Sequence, residues 1–289
     1  MNQFFNHFTD LPDNNDYFMK TSIYLSIFLS FCLSVSLNAQ VNSNKDVEKN
    51  EGIKRNAMYN LEEIKVRWKK AALENCPGVP CPPPAPSFTC GTSTINDVDG
   101  NAYNTVLIGT QCWIQSNLKV SKYRNGDAIP TGLNDATWSS TNNGAYTIYN
   151  NDLTNNAIYG KLYNWHAVID SRGLCPTGWH VPSDGEWTTL TTYLGGESVA
   201  GGKMKSTGTT YWDSPNTGAT NESGFSVLPG GYRFNVGSFL NIRIHAFFWS
   251  ATESDSSNAW FRYLYSSYGG VGRFSSYKRN GFSVRCLRD

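Results

Sequence analysis

Residues 175–190 read CPTGWHVPSDGEWTTL, and they carry the clearest helix start in the chain. Ser183 and Glu186 have the spacing of a capping box: the serine oxygen accepts from the backbone N–H of Glu186, whose carboxylate reaches back to the N–H of Ser183. Trp187, Leu190 and Leu194 then recur at i, i+3 and i+7 and give the helix one apolar face, and Gly195-Gly196 ends it. Asp184 and Glu186 look like a carboxylate pair suited to acid–base work. In a first helical turn, however, they complement the dipole and complete the cap, and that role suffices.

Moving outward from this helix, the chain from Phe88 onward consists of short β-prone runs between Gly, Asn, Asp and Ser clusters. They include NTVLIG (104–109), FSVLP (225–229), FFWS (247–250), AWFRYLY (259–265) and FSVRCL (282–287). One helix among many short strands predicts an α+β domain with sheet predominating.

Upstream the pattern changes. Residues 76–87, CPGVPCPPPAPS, favour extended polyproline geometry and read as a semi-rigid linker. Cys76 and Cys81 bracket Pro-Gly-Val-Pro and are placed to close on each other; no second ligand pair lies nearby to make them a metal site. Residues 40–75 contain a helical stripe, Ala57, Leu61, Ile64, Trp68 and Ala71, with charged flanks. It reads either as a stalk that forms a homo-oligomer through residues 53–73 or as a helix packed on the domain behind it. Residues 19–39 have the plan of a secretory signal: Lys20, an uncharged run from Ile23 to Leu37, and the small Ala39 at the cleavage point. Residues 1–18 are polar and acidic and read as a mis-set start. The mature protein is therefore expected to be secreted or on the outer cell surface, without a transmembrane segment.

Composition agrees with that plan. Phe, Trp and Tyr make up 14% of the 289 residues and charged residues only 16%, which suits a loop-rich domain that buries aromatics. A net charge of +1 argues against nucleic acid as a partner. Past the signal there are six cysteines, and an even number in an oxidising compartment points to structural disulfides.

Six segments in order, CGTSTINDVDGNAYNTVLIGTQCWIQSNL (90–118), GKLYNW (160–165), CPTGWHVPSDGEWTTL (175–190), GFSVLPGGYR (224–233), WSATE (249–253) and GFSVRCL (281–287), resemble the Fibrobacter succinogenes major paralogous domain across residues 88–289. PSDGEW and GFSVRC also resemble the formylglycine-generating, sulfatase-modifying family and its C-type-lectin-like relatives. The resemblance implies a C-type-lectin-like fold: a twisted antiparallel sheet, one or two flanking helices and long loops. It implies a long bridge between Cys175 and Cys286, with Cys286 in the last strand, and the remaining pair in this frame is Cys90 with Cys112. Chain entropy would make them worth about 4–5 and about 3 kcal/mol. It implies no established activity. The metal-binding cysteine pair of the formylglycine-generating enzymes is missing, because Cys286 alone lies late in the chain.

No G-x-S-x-G or HExxH motif occurs. His166, His180 and His245 lie in separate segments without nearby carboxylate or thiol partners, and read as surface or aromatic-cluster residues. No cofactor is expected. Asn96–Asn101 and Glu253–Asn258 are rich in oxygen ligands and invite structural calcium, yet neither completes an EF-hand loop; Asx turns account for both. The remaining signal is residues 231–280, with 13 aromatics, six Lys or Arg and two Asp or Glu. Trp249 and Trp260 are expected in the core, and strand alternation would bury about half of the other rings. Aromatics mixed with Ser, Gly, Asn and Arg have the composition of a paratope. The expected contact residues are Tyr232, Phe234, Phe239, Arg243, His245, Phe247, Tyr263, Tyr265, Tyr268, Arg273 and Tyr277, for a protein or glycan ligand. Some C-type-lectin-like proteins are diversified by retroelements, and that likeness makes 234–247 and 262–280 a candidate variable face. The chain is thus expected to be a surface binding module, with a structural envelope component as the alternative and an enzyme of the sulfatase-modifying type behind both.

Overall fold

The capping box forms. Ser183 Oγ accepts from the Glu186 N–H at 3.3 Å, the Glu186 carboxylate accepts from the Ser183 N–H at 2.7 Å, and Trp187, Leu190 and Leu194 are buried. The helix runs Asp184–Tyr193 and stops at Gly195, whose φ of 102° is open to glycine but strained for other residues. The computed structural model describes residues 87–289, within a unit spanning Pro86–Asp289. The signal at 19–39, the helical segment 40–75, its oligomerising stretch 53–73, all but the end of the linker, and the Cys76–Cys81 pair lie outside the described residues.

Among these residues there are five short helices: α1 (Asp135–Ser140), α2 (Leu153–Tyr159), α3 (Trp165–Val168), α4 (Asp184–Tyr193) and α5 (Glu197–Met204). Only α4 is foreseen. The first three begin at Asn134, Asp152 and Asn164, each accepting from a backbone N–H of its own first turn. Over such short lengths an Asx cap is indistinguishable from an Asx turn in sequence. What holds the helices is one buried ring each: Trp138, Tyr159 and Trp165. Helix α5 carries Gly201-Gly202 in its interior, because Gly201 lies against the Gly270 carbonyl and Gly202 against that of Gly218, with no room for a Cβ.

The first sheet has the order β1 (Thr94–Asn96), β2 (Ala102–Ile108), β3 (Gln111–Ile114), β12 (Leu287–Arg288), β6 (Trp179–His180), all antiparallel. The second has the order β11 (Val271–Tyr277), β10 (Asn258–Tyr265), β9 (His245–Glu253), β7 (Gly230–Arg233), β8 (Phe239–Ile242), with β7 and β9 parallel. A two-stranded ladder joins β4 (Tyr146–Thr147) to β5 (Leu162–Tyr163). The architecture is therefore α+β with sheet predominating. One expected strand does not form, and another does so only at its last residue, Leu287. FSVLP is broken at Ser226, whose φ is 55°. FSVRCL is extended and fully buried, but it threads between the sheets: Phe282 N–H donates to Tyr163, Ser283 N–H to Phe247, and Val284 and Cys286 accept from Leu118 and Ile114. Cys286 consequently lies just ahead of the last strand rather than in it.

Strand alternation on β9 divides the interior into two cores. Trp249 turns toward Tyr163, Trp165, Phe261, Phe282 and both disulfides. Ala246 and Phe248 turn the other way, toward Trp113, Trp187, Trp212, Phe225 and Leu264. Cys90 bridges to Cys112 and Cys175 to Cys286, each with Cα atoms 5.9 Å apart. The second bridge closes a separation of 111 residues and ties the entry to α4 to the threading segment.

A candidate binding surface on the second sheet

The register of the second sheet decides which rings meet. On β9 and β10, His245 faces Tyr265, Phe247 faces Tyr263 and Trp249 faces Phe261; on β11, Phe274 faces Phe261 and Gly272 faces Tyr263. Residues two apart share a face, so these rings form one field. Tyr232 of β7 joins it 4.7 Å from Phe247, and Phe282 stacks on Phe247 at 5.1 Å. His245 lies flat on Tyr265, 4.4 Å away and 8° from parallel. Tyr263 reaches Phe274 at 5.6 Å, and Phe234 meets Tyr232 edge-on at 6.3 Å.

Burial across this field is graded. Trp249, Phe261 and Phe282 are buried; Tyr232, Phe234, His245, Phe247, Tyr263 and Tyr265 are half-buried; Phe274 is 55% exposed. Gly272 contributes by absence of a side chain, since a Cβ there would overlap the ring of Tyr263. The face carries no formal charge at neutral pH. Burial lowers the pKa of His245 below its usual 6.5 and raises that of the Tyr232 hydroxyl. The Nδ1 atom of His245 is buried and has no partner among the described residues.

Six of the eleven expected contact residues gather here: Tyr232, Phe234, His245, Phe247, Tyr263 and Tyr265. The other five go elsewhere. Phe239 packs on Tyr149 at 5.4 Å and under the Arg233 guanidinium at 5.2 Å. Arg243 donates to Asp213 and to the carbonyls of Thr209 and Thr210. Arg273 points through the opposite face of the sheet, where it forks onto Asp184 and covers Trp260 at 3.6 Å. Tyr268 is exposed in the turn after β10, and its carbonyl accepts from Lys205. Tyr277, exposed at the end of β11, lines a polar cavity. Trp260 is half-buried under Arg273 and not a core residue. An alternating strand shows which side chains share a face, but the odd-or-even choice for Arg273 depends on pairing register, which local pattern does not carry.

Two further expectations change. His180 does have carboxylate partners: its Nδ1 lies 2.6 Å from Asp289 Oδ1 and its Nε2 2.9 Å from Glu186 Oε1. Burial alone would lower its pKa, but the two carboxylates more than offset that and raise it. On Glu186 burial acts upward, and the bonds from Ser183 and His180 outweigh it and hold the carboxyl below its usual value. Asp184 does more than complement a dipole, since it pairs with the fully buried Arg262 as well as with Arg273.

The oxygen-rich stretches are occupied by internal bonds. Asp97 accepts from the Asp99 and Asn101 N–H groups and from Tyr103 OH; Asp255 accepts from Ser257, Asn258 and the Asn258 amide. Among the described residues no group of three His, Cys, Asp or Glu side chains is gathered for a metal ion, and no helix is long and apolar enough to cross a membrane. Residues 106–288 match the Fibrobacter succinogenes major domain family. No curated protein and no solved structure matches the chain.

Proposed function

The chain belongs to the Fibrobacter succinogenes major domain family, and on that premise we propose that it is a ligand-binding module whose contact surface is the aromatic face of the second sheet. The observation that carries this reading is the half-open state of that face after folding. Seven rings, the exposed Phe274 among them, remain partly uncovered around a buried base of Trp249, Phe261 and Phe282. Rigid aromatic anchors lose little entropy on binding, and covering such a ring contributes on the order of 1 kcal/mol. The ligand is a glycan or a protein surface.

The reading is of a binder, not an enzyme. His245 stands in a ring stack and both ring nitrogens of His180 are taken up by carboxylates. A C-type-lectin-like relationship is supported by the long bridge from Cys175, just ahead of the capped helix, to Cys286. A site outside the cell or on its surface is supported by the signal pattern at 19–39 and by two disulfides, which persist in oxidising compartments. Retroelement diversification of 234–247 and 262–280 belongs to the same proposal; it requires asparagine-type AAY codons at the matching template positions and a nearby reverse transcriptase gene. The test of function is a combined glycan and protein array probed with the full chain. A reproducible hit is expected. No hit on either, together with ordered assembly in solution, would instead favour a structural envelope component.

A further inference from the structure

A second opening adjoins the aromatic face without sharing any of its rings. Asn235, the residue after Phe234, borders a cavity of about 230 Å3 whose other walls come from the β9–β10 turn, the end of β11 with the two residues after it, α3 and the loop after α1. All of the side chains lining it are polar. Such a volume falls below the usual 300–1,000 Å3 of drug-sized sites and suits a single small hydrophilic unit.

Tyr277 forms one wall and the hydroxyls of Ser256 and Ser257 another. Among the described residues these three hydroxyls, the His166 ring and the Asn235 amide have no hydrogen-bond partner, and Asn235 Oδ1 is buried. Lys278 and Arg279 supply the charge. Lys278 is held by Glu253 at 2.7 Å and by the Ser256 carbonyl. Arg279 donates from Nε to the Thr141 carbonyl and from Nη2 to Asn142 Oδ1, and has no carboxylate partner among the described residues; its Nη1 donors are left over. Asp255, the nearest other acid in this loop, is taken up by Ser257 and Asn258. His166 registers the resulting field: burial and then the charges of Arg279 and Lys278 lower its pKa.

We propose that this cavity receives one acidic sugar unit, its carboxylate on Arg279, its hydroxyls on the Ser256, Ser257 and Asn235 groups and its ring against Tyr277. A sugar ring presents hydroxyls around its edge to the Ser256, Ser257 and Asn235 groups and a C–H face to the Tyr277 ring, whereas a peptide carboxylate brings no hydroxyls for them. A planar guanidinium with unused donors is the side chain suited to a carboxylate. The proposal deepens the binding reading above by naming a ligand class, and because its residues differ from the aromatic face, either can fail alone.

The test is titration of the full chain with D-glucuronate, D-glucose and sulfate in parallel, read by calorimetry and by the His166 ring resonances. Glucuronate should bind saturably, at least tenfold more tightly than glucose, and raise the His166 pKa; sulfate should not reproduce the affinity. Arg279→Gln should weaken glucuronate at least tenfold and Arg279→Lys less. Ser257→Ala, which removes an exposed hydroxyl without a protein partner, should weaken it about threefold with the fold intact. Tyr268→Ala, at an exposed ring that belongs to neither surface, should leave it unchanged. Equal binding of glucose, equal binding of sulfate, or an undiminished affinity in both Arg279→Gln and Ser257→Ala would overturn the assignment.

Discussion

The same substitution should have opposite signs in two neighbouring helices. Gly185 is exposed in the first turn of α4, and a Cβ there meets nothing nearer than Ser183 Oγ at 4.0 Å. Gly185→Ala therefore removes backbone freedom from the unfolded chain at no steric cost, and should stabilise by about 0.5 kcal/mol. Gly201 is buried inside α5, and there the added carbon would overlap the carbonyl of Gly270, a backbone group that a side-chain rotation cannot clear. Its neighbour Gly202 donates to the Gly269 carbonyl at 2.6 Å, so the helix and the β10–β11 turn must part together. Overpacking costs about 1–3 kcal/mol, and overlap with an immovable backbone carbonyl belongs to the upper part of that range, about 2–3, against a helix-propensity gain of about 1. The net expectation for Gly201→Ala is a loss of about 1–2 kcal/mol, or roughly 2–8 °C in Tm for a domain of this size. Urea denaturation of the two variants beside wild type reads both signs in one assay. A Gly201→Ala protein as stable as wild type would show that the contact between α5 and the β10–β11 turn is not tight, and would refute the packing argument.

Two other predictions follow from buried and shared charges. Lys205 is fully buried and donates to the carbonyls of Thr217, Tyr265 and Tyr268 at 2.9, 3.0 and 2.9 Å; Lys205→Met strips the Thr217 and Tyr268 carbonyls of this donor, leaves that of Tyr265 with the Tyr268 N–H alone, and should cost about 2–4 kcal/mol by urea denaturation, and an unchanged midpoint would show that these bonds do not hold the turn. His180 has a raised folded pKa, so its contribution is complete below its ordinary 6.5 and is lost as pH climbs through the raised value. Glu186 has a lowered one, so its contribution is complete above its ordinary 4.5 and is lost as pH falls through the lowered value. The pair should thus favour the fold most between about pH 4.5 and 6.5, and His180→Gln should flatten the decline in urea midpoint from pH 6 to 9; a decline of unchanged slope would refute this linkage.

Local sequence carried the parts of this fold that local physics determines. Helix α4 was legible because cap, apolar face and glycine stop lie within 14 residues of one another, and β2, β9 and β10 because alternation marks them. The disulfide pairing was legible through the family resemblance. Helices α1, α2 and α3 were not, because a short Asx-capped turn becomes a helix only when a distant core accepts its ring. Nor was β8, in which Asn241 takes a φ of 64°. At the site, the sequence located the aromatic segment but could not separate the six rings that meet from Phe239, Tyr268 and Tyr277, which do not. Arg243 and Arg273 resembled contact residues until their partners, Asp213 and Asp184, were placed across long separations. His180 failed in part for the same reason, since nothing local announces Asp289; its other partner, Glu186, lies six residues on but reads as a cap residue alone.

The central claim is that the half-open rings of β9, β10 and β11 make the binding contact. Its most direct test is the affinity of whichever ligand the array returns for Tyr265→Ala and Phe274→Ala, measured beside Tyr268→Ala, an exposed ring in the turn after β10. The account predicts at least a tenfold loss for the first two, singly or combined, and less than twofold for Tyr268→Ala. Full affinity in the Tyr265→Ala, Phe274→Ala double variant, with its fold intact, would contradict it.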